Sequence, residues 1–256
     1  MLTRGACGFI DFGSTWRRSA AETVASVSEC ARRADALGFG RYWLGEHDDP
    51  YCCWHRPELM MAFLCSQTRQ IRVGSGAALV MMREPAVIGY EYSQLRLLHG
   101  ERIELGLGGA GGRGREVHPD VPTAVARTLP ALPRGLTVWQ LGSSARSLEL
   151  ARLHGLSLCL GMFLQQPEPS VMAACRARTE SWSGRFGVAL AGNLMSGDCD
   201  PTIEVLRNFD GLSEALALIA RIDEELRPDN MFILDLSHDP VARLDGIQAL
   251  GEALGT

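Results

Sequence analysis

Apolar runs of strand type alternate with amphipathic runs of helical period along the whole chain, the pattern of repeated strand–helix units. A first strand is expected over residues 7–12 and a first helix over 20–37, where Val24, Val27, Ala31 and Ala34 share one face and Gly38 supplies the stop. Residues 41–45 predict the second strand. Pro57 opens a helix ending near Thr68, residues 71–80 form the third strand, and Pro85 opens a helix closing at Gly100. The fourth strand, 102–107, is followed by a Gly-, Arg- and Pro-rich stretch to Gly135 with room for at most one short helix. Beyond it come a strand at 137–141, a helix capped by Ser143 or Ser144 and running to His154, a strand at 156–160 and a helix at 167–182. A strand at 188–193, a helix at 212–226, a strand at 231–236 and a helix at 240–254, capped by Asp239, complete the pattern.

That count gives eight strands and seven or eight helices. Strands such as 231–236 are apolar throughout rather than alternating, so both faces should be buried, as in a parallel sheet with helices outside. The absence of a glycine fingerprint after the first strand favours a closed barrel over an open doubly wound sheet. The expected fold class is therefore α/β, a (βα)8 TIM barrel. Its 256 residues fit one domain of 1–256 with reduced insertions, since such barrels typically need ~250. Chemistry in this architecture belongs at the carboxyl ends of the strands.

Composition removes several function classes. The net charge is -5, which argues against nucleic acid or an anionic membrane surface as partner. All 25 basic residues are Arg, so neither a Schiff-base lysine nor a phosphate-loop lysine exists. No apolar run approaches the ~20 residues that span a bilayer, and no secretory leader is legible, so a cytoplasmic protein is expected. The eight cysteines are scattered without CxxC pairs and should be reduced.

Several strand ends carry candidate chemistry. The second ends in Gly45-Glu46-His47-Asp48-Asp49, where His47 could transfer a proton and Glu46 or Asp48 could fix its tautomer; a histidine bonded to loop backbone is the alternative. Nearby Cys52, Cys53 and His55 raise the question of a zinc site with His47. Vicinal cysteines seldom chelate one ion together and the spacing fits no common zinc pattern, so no metal is expected. The third strand carries Gly74-Ser75-Gly76-Ala77-Ala78, small residues against which a flat ring could lie. The fourth ends in Gly106-Leu107-Gly108-Gly109, followed by Arg113 and Arg115. This run could expose amides to a phosphate or serve only as a connection. The fifth ends in Leu141-Gly142-Ser143-Ser144 at a helix start, which suits either an anion or simple capping.

The segments 41–47 (RYWLGEH), 71–76 (IRVGSG), 102–108 (RIELGLG) and 141–144 (LGSS), in this order, strongly resemble the bacterial luciferase-like flavin-dependent monooxygenases. The resemblance extends to the closing 236–240 (LSHDP) and its final helix. It implies a barrel that binds FMN at the carboxyl ends of the strands, or in one branch the deazaflavin F420; the Glu-His ending suggests the flavin branch. By that likeness His47 matches an active-site histidine, and Gly76-Ala77 matches a non-prolyl cis peptide behind the flavin ring. Gly108 and Gly109 belong to the cofactor loop, and Gly142, Ser143 and Ser144 match the phosphate-binding helix start. Two positions depart from the family: Asp48 stands where a second histidine is common, and Gly109 where an arginine commonly meets the phosphate, leaving Arg113 or Arg115 to compensate. The excursions after the fourth and seventh strands are shorter than usual. The resemblance further implies reduced FMN from a separate reductase, O2, a small-molecule substrate and a homodimer formed through early helices. A non-catalytic flavin-binding barrel and an F420-dependent oxidoreductase are the alternatives.

Overall fold

The strands of this protein face two cores at once. In β2 (Arg41–Leu44), Tyr42 and Leu44 join the apolar layer beneath the helices, whereas Trp43 belongs to an inner cluster with Ile10, Trp139, Phe163, Phe232 and Leu234. In β9 (Asn230–Asp235), Met231 and Ile233 face outward and Phe232 and Leu234 inward. Burial on both faces is what makes these strands continuously apolar.

The computed structural model describes residues 2–109, 120–178, 182–195 and 197–255. Within them run β1 (Cys7–Asp11), α1 (Ala20–Leu37), β2, α2 (Pro57–Gln67), β3 (Arg72–Leu79), α3 (Pro85–His99), β4 (Ile103–Gly108), α4 (Val121–Thr128), β5 (Thr137–Gly142), α5 (Ala145–Leu153), β6 (Ser157–Gly161), α6 (Pro169–Arg176), β7 (Phe186–Asn193), β8 (Phe209–Asp210), α7 (Leu212–Leu226), β9 and α8 (Pro240–Leu254). Strands β1 to β7 and β9 pair in parallel, and β6 pairs with β7 as well as β5, which closes the ring. The expected (βα)8 TIM barrel is thus present, with the short helix after β4 reduced to the eight residues of α4.

Local chemistry explains the element ends. Ser19 and Glu22 form a reciprocal capping box on α1, and Gly38 ends that helix in the left-handed region at φ 84°. Prolines open α2, α3 and α8.

Two expectations need correction. The sixth helix stops at Arg176 instead of reaching Trp182. Arg178 there donates to the carbonyls of Cys175, Leu226 and Arg227, and the Trp182 indole donates to Leu156 O at 2.9 Å, so these side chains serve inter-element contacts. A two-residue strand, β8, also pairs with the end of β7, too short to register as an apolar run.

Inside the ring the rings of Trp43 and Phe232 lie 4.1 Å apart, and Trp139 packs on both, 5.4 Å from Trp43 and 5.8 Å from Phe232. Toward the amino ends of the strands, Arg41 makes a two-pronged bond to Glu104, at 2.9 and 3.1 Å, and the Trp43 indole donates to the same carboxylate at 3.1 Å. A barrel centre filled in this way is packed, and the space for a ligand is left at the opposite end.

Candidate functional site

A cavity opens at the carboxyl ends of the strands. Its wall takes Phe12 from the end of β1, Glu46 and His47 from β2, Gly76, Ala77 and Leu79 from β3, and Gly108 and Gly109 from β4. Leu141 to Ser144 come from the end of β5, and Phe163 and Leu164 from beyond β6. His47, Gly76, Ala77, Gly108, Gly109, Gly142, Ser143 and Ser144, eight candidates drawn from four strand ends, therefore meet around one space. Arg113, with Arg115, lies outside the described residues.

His47 is exposed to the cavity, and its ring has no hydrogen-bond partner among the described residues. Phe12 packs on it at 5.7 Å between ring centroids. The expectation that Glu46 or Asp48 orients this imidazole fails. Glu46 turns away, accepting from Leu79 N and from Arg83, each at 3.1 Å, while Asp48 is exposed and makes no bond to the ring. Arg83, wholly buried, also binds Glu58 at 2.6 Å and Glu91, so one guanidinium serves three carboxylates. Burial pushes the Glu46 carboxyl up, and the Arg83 charge opposes that. Glu46 therefore clamps the end of β2 to β3 and leaves His47 free.

The Gly76–Ala77 peptide is cis, as the resemblance implies, and the pairing of β3 with β4 shifts register between Ser75 and Ala78. A Cβ at Gly108 would come within 2.9 Å of the Ala77 methyl group, and one at Gly142 would collide with Ser147 Oγ. These glycines let two loops approach each other and let the Ser147 hydroxyl reach the cavity wall. Ser144 caps α5 by accepting from Ser147 N, and its hydroxyl lies 3.3 Å from that of Ser147.

The second expected excursion supplies a strap. Asp200 N donates to Leu236 O, Leu206 N to Phe163 O and Asn208 N to Ala191 O, each at 2.7 Å, and between these ties Thr202, Ile203, Glu204 and Val205 line the cavity. Nothing in the sequence of that segment marks it as a wall. Gln140 and Arg146 also line the cavity and were missed. The signal for Arg146 is its place two residues beyond Ser144, in the first turn of a helix whose start suits either an anion or simple capping.

The cysteines are all free thiols. Cys52 Sγ donates to Phe12 O at 2.9 Å, and His55 Nδ1 lies 3.0 Å from His47 O, so these groups bind loop backbone. Burial raises the Cys52 thiol to about 12, well away from a ready thiolate. No helix among the described residues is long and apolar enough to cross a membrane.

A family model described as luciferase-like monooxygenase matches residues 8–129. A luciferase-like monooxygenase of Escherichia coli strain K12 is 28% identical over 165 residues, 54% of this chain and 49% of that protein. The chain spans about half the length of the first curated relatives it matches. Among solved structures, apo-MsnO8 superimposes with a TM-score of 0.80 at 19% identity, covering 96% of this chain and 97% of the other. The oxygenating constituent of 3,6-diketocamphane monooxygenase from Pseudomonas putida, in complex with FMN, gives 0.72 at 14% identity over 99% and 98%. Both share the fold.

Proposed function

We propose that the chain is a member of the luciferase-like monooxygenase family, a flavin-dependent monooxygenase acting on a small organic molecule with O2 and reduced FMN from a separate reductase. The observation that carries this reading is the convergence of His47, Gly76-Ala77, Gly108-Gly109 and Gly142-Ser143-Ser144 on one cavity at the carboxyl ends of the strands. The wall fits a flavin chemically: side-chain-free backbone at Gly76, Gly108 and Gly109 suits a flat ring, and the start of α5 suits a phosphate. Reduced FMN, when bound, would supply the electrons that activate O2.

The protein's own part is positioning, water exclusion and proton movement. Phe12, Phe163, Leu164, Ile203 and Val205 form an apolar wall that excludes water and suits the apolar body of a substrate. His47, with a ring free to bond a ligand, moves a proton to or from that substrate. A separate reductase is required in this reading, since no dinucleotide fingerprint is present in the chain. Residues 1–256 act as one barrel domain, and eight free thiols support a reducing compartment, the cytoplasm.

A homodimer is part of the same reading. Leu59 and Phe63 on α2 and Val87, Tyr90, Leu97 and Leu98 on α3 are exposed, with Leu59 and Leu97 at 82% and 79%. Apolar side chains of this number on two adjacent helices suit burial by a second copy.

The test is titration of the protein with FMN and with F420, followed by oxygen uptake with reduced FMN and candidate substrates. FMN binding with substrate-dependent uptake is the expected result. Binding without turnover would make the chain a flavin-binding barrel, and selective F420 binding an oxygen-independent oxidoreductase. His47→Asn should keep FMN affinity and lose about a hundredfold or more in turnover, the usual size of a lost acid–base group.

A further inference from the structure

Resting on the flavin reading, we propose that the substrate is an organic amine, its ammonium group received by Asp49 and Glu204 and its apolar body lying against Phe12 and Phe163. Both carboxylates are carried to one side of the cavity by the loop that follows β1. In that loop Ser14 makes an antiparallel bridge to Cys52, and its hydroxyl lies 3.3 Å from that of Thr202. Asp49 stands just before Cys52 and Glu204 just after Thr202, so both line the cavity from the β1 side. Asp49 accepts from Tyr51 N at 2.8 Å through one oxygen, and its other oxygen has no partner among the described residues. Glu204 is exposed and has no hydrogen bond or ion pair among the described residues. It sits on a strap tied at both ends by backbone bonds of 2.7 Å, so its charge is placed before any ligand arrives.

The remaining charge of the cavity does not cancel these two. Glu46 is already bound to Arg83. Arg146, the one arginine among the described residues that line the cavity, stands at the start of α5 beyond β5. Three strands separate β5 from β1 in either direction around the ring, so Arg146 faces the two carboxylates from across the mouth. A cofactor phosphate belongs on the Arg146 side, which leaves Asp49 and Glu204 to whatever occupies the other. Aromatic rings point to the same kind of ligand. Phe12, Tyr51 and Phe163 line the space, and the 47% exposed Tyr51 has a hydroxyl without a partner among the described residues. The faces of such rings attract a cation, and carboxylates attract it further. An anionic substrate would meet the same groups as repulsion.

The experiment compares three probes with one apolar body and different ends: phenylbutylamine, phenylbutanol and phenylbutyrate. Calorimetric titration of the full chain saturated with oxidised FMN should show the amine bound about tenfold or more tightly than the carboxylate, with the alcohol between them. Glu204→Gln and Asp49→Asn, which keeps an acceptor for Tyr51 N, should each narrow that gap, and Glu204→Arg should reverse it. Alcohol affinity, expected to change less than about twofold in every variant, is the internal check on folding. A wild type that binds phenylbutyrate as tightly as phenylbutylamine overturns the proposal. So does a gap that survives all three substitutions, or the failure of every probe to bind at about 1 mM. The flavin reading is scored separately by the FMN titration that precedes the probes. If FMN does not bind, that reading falls, and the same three probes on the cofactor-free chain still decide whether the cavity prefers an amine.

Discussion

Arg83 is a single buried cation shared by Glu46, Glu58 and Glu91, and the cavity depends on it through the bond that Glu46 makes to Leu79 N. Removing one partner of a buried ionic cluster strands the others. Arg83→Met should therefore cost about 3 to 5 kcal/mol in urea unfolding, whereas Glu46→Gln, which keeps an acceptor for Leu79 N, should cost less. Legibility differed sharply among these residues. His47 could be picked out because a histidine at a strand end beside carboxylates is rare within one sequence, but the partner of Glu46 sits 37 positions away. Local sequence suggested Glu46 and Asp48 as partners for His47, and tertiary structure spent Glu46 elsewhere. Gln140 was invisible for a related reason: it lines the cavity with its amide nitrogen held by Leu141 O and by Leu107 O, which lies 33 positions away.

Helix α8 shows how an element is held to the barrel and how pH acts on that hold. Its Arg243 reaches Asp11 at the end of β1, and Tyr42 donates to the same carboxylate at 2.6 Å. Arg243, with these bonds, holds the Asp11 carboxyl below its usual range against the opposing effect of burial. Asp235, at the end of β9, is instead raised from 3.8 to about 6 by burial, although Arg243 and the Ser237 amide favour its charge. The two act in opposite senses. Stability from Asp11 is present above the ordinary carboxylate range and is lost as pH falls. Between about pH 4 and 6 folded Asp235 holds a proton that the unfolded chain has released, so its contribution falls as pH rises, by roughly 3 kcal/mol in all. Asp235→Asn, which keeps an acceptor for Ser237 N, should flatten that fall in urea melts taken from pH 4 to 7. An unchanged slope would remove Asp235 as its source. The elements themselves were largely legible, because prolines and glycines punctuate them: α2, α3 and α8 start at the expected prolines. The end of α6 and the existence of β8 were not, since each is set by distant carbonyls rather than by local pattern.

At the scale of the molecule, strands apolar on both faces pointed to a parallel sheet with helices outside, and the missing glycine fingerprint after the first strand favoured a closed ring over an open sheet, while the strap over its mouth carried no signal of its own. The exposed apolar side chains of α2 and α3 make a testable claim about assembly. Leu97→Arg should convert a dimer to a monomer in light scattering coupled to size exclusion, with the thermal unfolding of dilute protein little changed; a wild type that is monomeric at tens of micromolar would refute it. The ring also carries a safeguard against its own misassembly. Side chains alternate along a strand, so a slip of β2 by one residue would turn Tyr42 and Leu44 inward and Arg41 and Trp43 outward. Glu104 would then stay inside the ring with neither the Arg41 guanidinium nor the Trp43 indole, and with only the half-exposed Arg72 at 3.7 Å. An unmatched buried carboxylate is costly enough to make that slip self-defeating. The Arg41–Glu104 pair thus proofreads closure from the floor of the barrel, rejecting rings whose carboxyl ends would be out of step at the cavity.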